Sequence, residues 1–143
     1  MPQADARLLN KSDFEILADF RYQIRKFVRF SEQVARQHGI KPLQYLLLLQ
    51  IKGYPGRDWA TIGELAERLQ AQHHGVVALV SRCEKQGFVK RRRSSEDRRR
   101  IEIHLLRKGE RVLDELARLH RAELLSLQGR FVVPDLRAFD HRP

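Results

Sequence analysis

The sequence predicts a mainly α-helical chain that carries one small antiparallel β-hairpin. Three observations lead to this fold class. Apolar residues recur at helical spacing over long stretches of the 143 residues. Two patterns of Ser or Thr followed three residues later by Glu, at Ser12 and at Thr61, mark helix starts. Between residues 100 and 105 apolar and polar residues alternate with a period of two, which is typical of a strand.

The composition favours a folded, basic chain with a polyanionic partner. Apolar residues make up 42% of the chain, which is enough for a modest core. The formal net charge is +10 and the pI is near 10.5, a balance that suits nucleic acid, although a merely basic, soluble protein is the alternative. There is one cysteine, and we find neither a signal peptide nor an apolar run long enough for a bilayer. We therefore expect a reducing, cytoplasmic setting.

A long first helix is predicted from Ser12, paired with Glu15 in a capping box, to about Gln37, with Gly39 as its end. Its apolar residues follow helical spacing: Phe14, Ile16, Leu17, Phe20, Ile24, Phe27, Val28, Phe30, Val34 and Ala35. A stripe of this width predicts contact with more than the helix's own domain. Packing of the whole stripe on a single core is the open alternative.

A second helix is predicted to begin at Pro42, which suits a first helical turn. Residues 43–51 are apolar nearly all round, as expected for a helix buried on most sides. Residues 53–60 are predicted to form a loop that ends in a short strand at residues 59–60. The capping box at Thr61 then opens a third helix.

A fourth helix follows the third after a short link at residues 70–71 and runs from Gln72 to Gln86, where Gly87 ends it. Its apolar side consists of Val76, Leu79, Val80 and Cys83. Two short helices joined by a tight turn form a helix-turn-helix. The other side supplies the candidates for base contacts, which are Gln72, His73, His74, Gly75, Val77, Ser81 and Arg82. Among them, Val77 suits a thymine methyl group.

The hairpin that follows is strongly basic, with seven Lys and Arg residues between positions 90 and 100. The predicted strands are residues 88–93 and 98–106, joined by a turn at residues 94–97, and Lys108-Gly109 is expected to break the second strand. Together with the helix-turn-helix, such a hairpin indicates a winged helix that binds DNA.

Asp97 and Arg99 are two residues apart and can share a face of an extended segment. A carboxylate there can hold the guanidinium in a bidentate pair and direct it into a narrow minor groove. The remaining arginines are predicted phosphate contacts, which position a protein on DNA without recognising sequence: Arg91, Arg92, Arg93, Arg98 and Arg100. A solvated run of charges is the alternative.

A last helix is predicted from about Glu110 to Gln128. The tail after Gly129 carries Phe131, Val132, Val133, Leu136 and Phe139, which are too apolar to be left in water without a partner.

We expect neither an enzyme nor a metal or cofactor site. Adjacent helical residues point about 100° apart, so His73 and His74 cannot easily hold one ion together. Cys83 lies on an apolar helix face, where a thiol usually acts in packing. The sequence has no nucleophile elbow, no phosphate loop and no paired catalytic carboxylates.

From about Leu17 to Leu127 the chain resembles the MarR family of bacterial transcriptional regulators. The resemblance rests on residues 61–69, on Leu79-Val80 with Gly87-Phe88-Val89, and on the wing residues 97–100 followed by Leu105 and Gly109. It implies an obligate homodimer that binds a pseudo-palindromic duplex and releases it when a small phenolic or aromatic acid binds. It also supports a minor-groove role for Arg99, with Asp97 orienting it. The chain departs from the family pattern at Gly75, Val77 and Ala78, where many relatives carry Ser, Thr or Arg, and at Leu106, where Thr is frequent.

We therefore divide the chain into an N-terminal dimerisation helix (1–40), a winged helix-turn-helix DNA-binding lobe (41–106), and a long helix with a dimerisation tail (107–143). The predicted function is that of a dimeric, sequence-specific regulator, a repressor released by an aromatic or phenolic effector. The effector candidates are Phe20, Arg21, Arg25, Phe27 and Trp59, although core packing explains the rings equally well. Two alternatives stay open: a winged-helix module that docks on an acidic protein, and a nonspecific architectural DNA binder.

Overall fold

The computed structural model describes residues 8–127, 129 and 131–139. Its elements in chain order are α1 (Lys11–Gln37), α2 (Pro42–Lys52), β1 (Trp59–Thr61), α3 (Ile62–Leu69), α4 (His73–Lys85), β2 (Val89–Arg93), β3 (Ile101–Leu105), α5 (Arg107–Ser126) and a 3-10 turn (Leu136–Phe139). The strands form one antiparallel sheet in the order β1-β3-β2. The predicted mainly α-helical, winged-helix fold is confirmed.

One hydrophobic core joins the helices to the sheet, and α2 lies at its centre. Leu47, Leu48 and Ile51 of α2 are completely buried. The other elements contribute Leu65, Val76, Leu79, Val80, Cys83, Phe88, Val89, Ile103, Leu113 and Leu116. Leu43 and Leu46 remain exposed. Apart from Leu43, Leu46 and Lys52, the residues of α2 are buried or half-buried, so the prediction that this helix is buried on most sides is confirmed.

The start of α1 differs from the prediction. The helix begins at Lys11, and its cap is Asn10 rather than Ser12. The Asn10 side chain accepts a hydrogen bond from the Asp13 backbone at 3.0 Å, and the Asp13 carboxylate accepts one from the Asn10 backbone at 2.9 Å. The predicted box of Ser12 with Glu15 is thus wrong by two residues. Asn, like Ser, is a favoured N-cap, so both patterns were available locally.

The start of α5 also differs from the prediction, because Lys108 and Gly109 lie inside its first turn instead of breaking the strand. The strand ends earlier, where the N–H of Leu106 donates to the carbonyl of Phe88 at 2.9 Å. A Cβ atom on Gly109 would lie 2.2 Å from that carbonyl oxygen. Glycine is therefore needed here so that the helix can pass close to the backbone of the wing.

The tail after α5 is partly covered. The Phe131 ring lies 6.1 Å from that of Phe20 and 6.2 Å from that of Phe27, measured between centroids. Val132 and Val133 are exposed. The predicted helix end at residue 128 lies outside the described residues. Among the helices of the described part, none has the length and apolar character needed to cross a bilayer.

Candidate nucleic-acid interface

The helix-turn-helix consists of α3 and α4, joined by a tight turn. The predicted capping box opens α3: Thr61 Oγ1 accepts from the Glu64 backbone at 3.3 Å, and the Glu64 carboxylate accepts from the Thr61 backbone at 3.0 Å. At the end of α3, Gln70 adopts a left-handed conformation with φ of 50°. The N–H of Ala71 donates back to the carbonyl of Ala66 at 3.0 Å. These contacts set the angle at which α4 leaves α3.

Glu64 stabilises this helix start through its charge. Partial burial opposes its ionisation, but hydrogen bonds with Thr61, Tyr54 and Arg57 outweigh that effect and lower its pKa from 4.5 to about 2. Because the pKa is lower in the folded chain than in the unfolded chain, the ionised carboxylate stabilises the fold above pH 4.5. This stabilisation is lost as the pH falls towards 2.

The variant Glu64→Gln keeps an oxygen that can accept from Thr61 but removes the charge that faces Arg57. We expect it to unfold at a lower urea concentration than the native chain at pH 7, and the difference to shrink as the pH falls from 4.5 towards 2. Circular dichroism across a urea series at each pH measures this. Glu115→Gln, at an exposed position of α5, is the control and should show no such trend. A difference that does not change with pH would contradict the role of the charge.

The helix α4 is buried along one side and exposed along the other. The buried side consists of Val76, Leu79, Val80 and Cys83. The predicted base-contact residues are all exposed: Gln72, His73, His74, Gly75, Val77, Ser81 and Arg82. Lys85 is exposed too. Its spacing of four residues from Ser81 puts it on the same side, so helical periodicity could have identified it.

Cys83 is part of the core. Burial raises the pKa of its thiol to about 11. The thiol is therefore protonated near neutral pH and packs as a small apolar group, which agrees with its predicted role. Within the described residues, no three His, Cys, Asp or Glu side chains come close enough together to hold a metal ion.

Arg91 connects the wing strand β2 to α4. Its Nη1 donates to Glu84 at 2.7 Å, and its Nη2 donates to Ser81 Oγ at 3.0 Å. The Ser81 hydroxyl in turn donates to the carbonyl of Val77 at 3.0 Å. The roles of Arg91 as a phosphate contact and of Ser81 as a base contact stay predictions. Both polar groups are engaged within the protein, where they hold the wing against α4.

The tip of the wing is a turn stabilised by two side chains. Ser94 is buried, and its Oγ accepts from the N–H groups of Glu96 and Asp97, both at 3.2 Å. The Asp97 carboxylate accepts from the N–H of Arg99 at 3.0 Å. Residues 98–100 consequently belong to the turn, which corrects the prediction that the second strand begins at residue 98.

Arg99 extends from this turn into solvent, and its side chain is 97% exposed. Its Nε lies 3.8 Å from the nearer carboxylate oxygen of Asp97, so the predicted bidentate pair is not present. The carboxylate instead accepts from the Arg99 backbone, because the two residues lie in one turn. Asp97 thus orients the backbone that carries Arg99 and leaves the guanidinium exposed.

Two other wing arginines have partners within the protein. Arg93 Nη1 donates to the carbonyl of Arg98 at 3.1 Å. Arg100 is half-buried, with its guanidinium 5.3 Å from the centroid of the Trp59 ring. Arg92 and Arg98, by contrast, are exposed. The exposed guanidinium groups of Arg92, Arg98 and Arg99 therefore lie on β2 and in the turn at the tip of the wing.

The predicted effector residues do not come together in one pocket. They are Phe20, Arg21, Arg25, Phe27 and Trp59, of which the first four lie on α1. The Phe20 and Phe27 rings pack with Phe131 of the tail. Trp59 lies in the sheet instead, with the Arg57 guanidinium 3.9 Å from its ring centroid. The effector residues named from composition therefore do not share one surface within a single chain, which the sequence could not show.

A polar group that the sequence did not reveal lies between α1, α2 and α5. His120 is 7% exposed, with its Nε2 2.7 Å from Ser31 Oγ and its Nδ1 2.7 Å from the Leu116 carbonyl oxygen. The Tyr45 ring stacks on the imidazole at 4.6 Å, and the Phe27 ring meets it edge-on at 6.3 Å. Ser31 and His120 are 89 positions apart, and no local pattern indicates that they meet.

Comparison with known proteins agrees with this geometry. Residues 38–100 match a model of the MarR family. The uncharacterized HTH-type transcriptional regulator YsmB of Bacillus subtilis is 27% identical over 136 residues, covering 92% of this chain and 91% of YsmB.

Two solved structures resemble the whole fold. AbsC, a MarR family transcriptional regulator from Streptomyces coelicolor, has a TM-score of 0.75 at 19% identity and covers 90% of this chain and 86% of its own. NadR, solved in complex with 4-hydroxyphenylacetate, has a TM-score of 0.71 at 17% identity, with coverages of 90% and 85%. At these identities the likeness concerns the fold alone. The helix-turn-helix and most of the wing are therefore similar to those of the MarR family of transcriptional regulators, and the similarity to YsmB extends over nearly the whole chain.

Proposed function

We propose that the chain acts in the cytoplasm as a homodimer that binds a pseudo-palindromic duplex and represses transcription. In each protomer, α4 enters the major groove and the tip of the wing enters the adjacent minor groove. The observation that carries this proposal is the exposed Arg99 guanidinium on a turn held by Ser94 and Asp97. A fixed turn that extends a cation into solvent suits an anionic, narrow groove.

The contacts divide into three classes in this proposal. Arg99 enters the minor groove, with Asp97 orienting its backbone. Arg92 on β2 and Arg98 in the turn of the wing contact phosphates. The base-edge contacts come from the exposed side of α4, namely Gln72, His73, His74, Gly75, Val77 and Arg82. The net charge of +10 adds a nonspecific attraction that weakens as salt rises.

The support for a homodimer comes from apolar side chains that one chain leaves exposed. On α1 and α5, which pack against each other, these are Phe14, Leu17, Tyr22, Val28, Leu119, Leu124 and Leu125. Large apolar side chains exposed on two neighbouring helices are what a partner's surface would cover. A second copy that covers both helices removes it from water and places two DNA-binding lobes about a two-fold axis.

The dimer can be tested through the spacing of the half-sites. Two lobes related by a two-fold axis match half-sites about 34–36 Å apart, which is one helical turn. We expect an insertion of five base pairs between the half-sites to reduce the affinity to that for a single half-site, because one lobe then faces the wrong side. Fluorescence anisotropy measures the affinity, and light scattering should give twice the 16.9 kDa of one chain. A monomer at micromolar concentration, or indifference to the insertion, would contradict the dimer.

We further propose that a small aromatic acid releases the DNA. NadR, which shares the fold, was solved with 4-hydroxyphenylacetate. In this chain the rings of Phe27 and Tyr45 surround the buried His120 where α1, α2 and α5 meet. A ligand at this junction would contact both the dimerisation helices and the DNA-binding lobe. Hydroxylated aromatic acids should therefore lower the anisotropy of bound duplex, and aliphatic acids of equal charge should not.

A further inference from the structure

The exposed side of α4 has a definite order of side chains. Successive helical residues are about 100° apart, so residues separated by three or four positions form a line along the helix. His74, Ala78, Ser81 and Lys85 form the line opposite the buried side. Val77, which is 36% exposed, lies beside this line at the level of Ala78. His74 and Lys85 are therefore at the two ends of this line, Arg82 lies to one side of it, and Val77 and Ala78 are the apolar side chains at its middle.

The one hydroxyl near the middle has no hydrogen left for DNA. Ser81 Oγ donates its hydrogen to the carbonyl of Val77 at 3.0 Å and accepts from Arg91 Nη2 at 3.0 Å. Arg91 is itself fixed by Glu84, which accepts from its Nη1 at 2.7 Å and from its backbone at 3.1 Å. Because both partners of the hydroxyl lie within the protein, Ser81 offers no donor to a base. Val77 and Ala78 are then the side chains at the middle of the exposed side of α4.

An apolar centre limits what this helix can recognise in a major groove. Base edges there present hydrogen-bond donors and acceptors, and the only apolar group among them is the 5-methyl group of thymine. We propose that Val77 and Ala78 recognise thymine through its 5-methyl group, so that the preferred half-site contains thymine at the position facing the middle of α4. This inference rests on the proposed function, because it requires that α4 lies in the major groove.

The test begins with a duplex selected from a random pool by the full-length protein. Each thymine of the selected half-site is then replaced by deoxyuridine, which removes the methyl group and keeps every hydrogen-bonding group. We expect one or two positions in each half-site to lose about fourfold in affinity for each methyl removed, the value for burying one such group. Deoxyuridine at thymines outside the half-sites is the control and should have no effect.

The variant Val77→Ala tests whether Val77 is the side chain that contacts the thymine methyl group. It binds the selected duplex more weakly, and at the methyl that Val77 contacts, deoxyuridine should cause little further loss, because the contact is already absent. Thermal unfolding verifies that the variant is folded. A selected duplex that tolerates deoxyuridine everywhere would overturn the inference and leave the proposed function standing. A failure to select any preferred duplex would overturn both.

Discussion

Arg99→Ala is expected to weaken binding of the selected duplex by roughly 1–3 kcal/mol, or about 5- to 150-fold, while the Tm of the protein stays unchanged. The loss follows from removing the cation at the tip of the wing. The unchanged Tm follows from the 97% exposure of this side chain, which has no contact in the core. Anisotropy titrations at one fixed salt concentration measure the affinity, and differential scanning calorimetry measures the Tm.

A matched control separates the position of Arg99 from its charge. Arg118→Ala removes one positive charge from α5, where the side chain is 78% exposed and paired with Asp114 at 2.8 Å. We expect this variant to lose little affinity, because a charge outside the wing contributes only to the long-range field. Equal losses in the two variants would mean that net charge, and not a minor-groove contact, accounts for the role of Arg99.

Gly109→Ala is expected to destabilise the fold by about 1–3 kcal/mol or more, a fall in Tm on the order of 5–10 °C. The new Cβ atom would lie 2.2 Å from the carbonyl oxygen of Phe88. That carbonyl is not free to move, because it accepts from the N–H of Leu106 at 2.9 Å. Either α5 or the base of the wing must shift. DNA affinity should fall as well, since the wing is attached at this point.

Gly63→Ala provides the comparison for Gly109. Both glycines lie in the first turn of a helix, but a Cβ atom on Gly63 would meet nothing within 4 Å. Alanine favours a helix over glycine by up to about 1 kcal/mol, so this variant should be as stable as the native chain or slightly more stable. Similar losses of stability in the two variants would show that the contact with Phe88 is not the cause.

Much of the fold was predictable because its signals are local. Pro42 in a first turn, the capping box of Thr61 with Glu64, and Gly87 after α4 each act within a few residues of their own position. The alternation of β3 reflects one buried face, as at Ile103. Such features can be predicted because they depend only on the chemistry of residues that are neighbours in the sequence.

The misplaced boundaries have a different origin. At the start of α1, Asn10 and Ser12 offer equivalent caps, and the choice between them depends on the side chain of Asp13. At the start of α5, Gly109 resembles a strand breaker, and only the proximity of the Phe88 backbone explains why a helix needs glycine there. In the first case two local patterns compete, and in the second the cause is a contact with a residue that is distant in the sequence.

At the candidate site, the sequence could predict which side chains are exposed but not which of them have partners within the protein. The exposure of the outer side of α4 follows from helical periodicity, whereas that of Arg99 follows from its place in a surface turn. The pairing of Arg91 with Glu84 and Ser81 joins a strand to a helix, and a charge run in a sequence does not indicate which of its members have partners. The contact between His120 and Ser31 could not be predicted either, because it joins two helices that are far apart in the sequence.

The central claim is that the chain binds a particular DNA sequence through α4 and the wing. The most direct measurement is anisotropy competition at physiological salt, in which labelled selected duplex is displaced by unlabelled selected duplex or by a scrambled duplex of the same composition. We expect the selected duplex to compete about 10³-fold more strongly or better, as specific binders do. Equal competition by the two duplexes would contradict the claim and leave a nonspecific DNA binder.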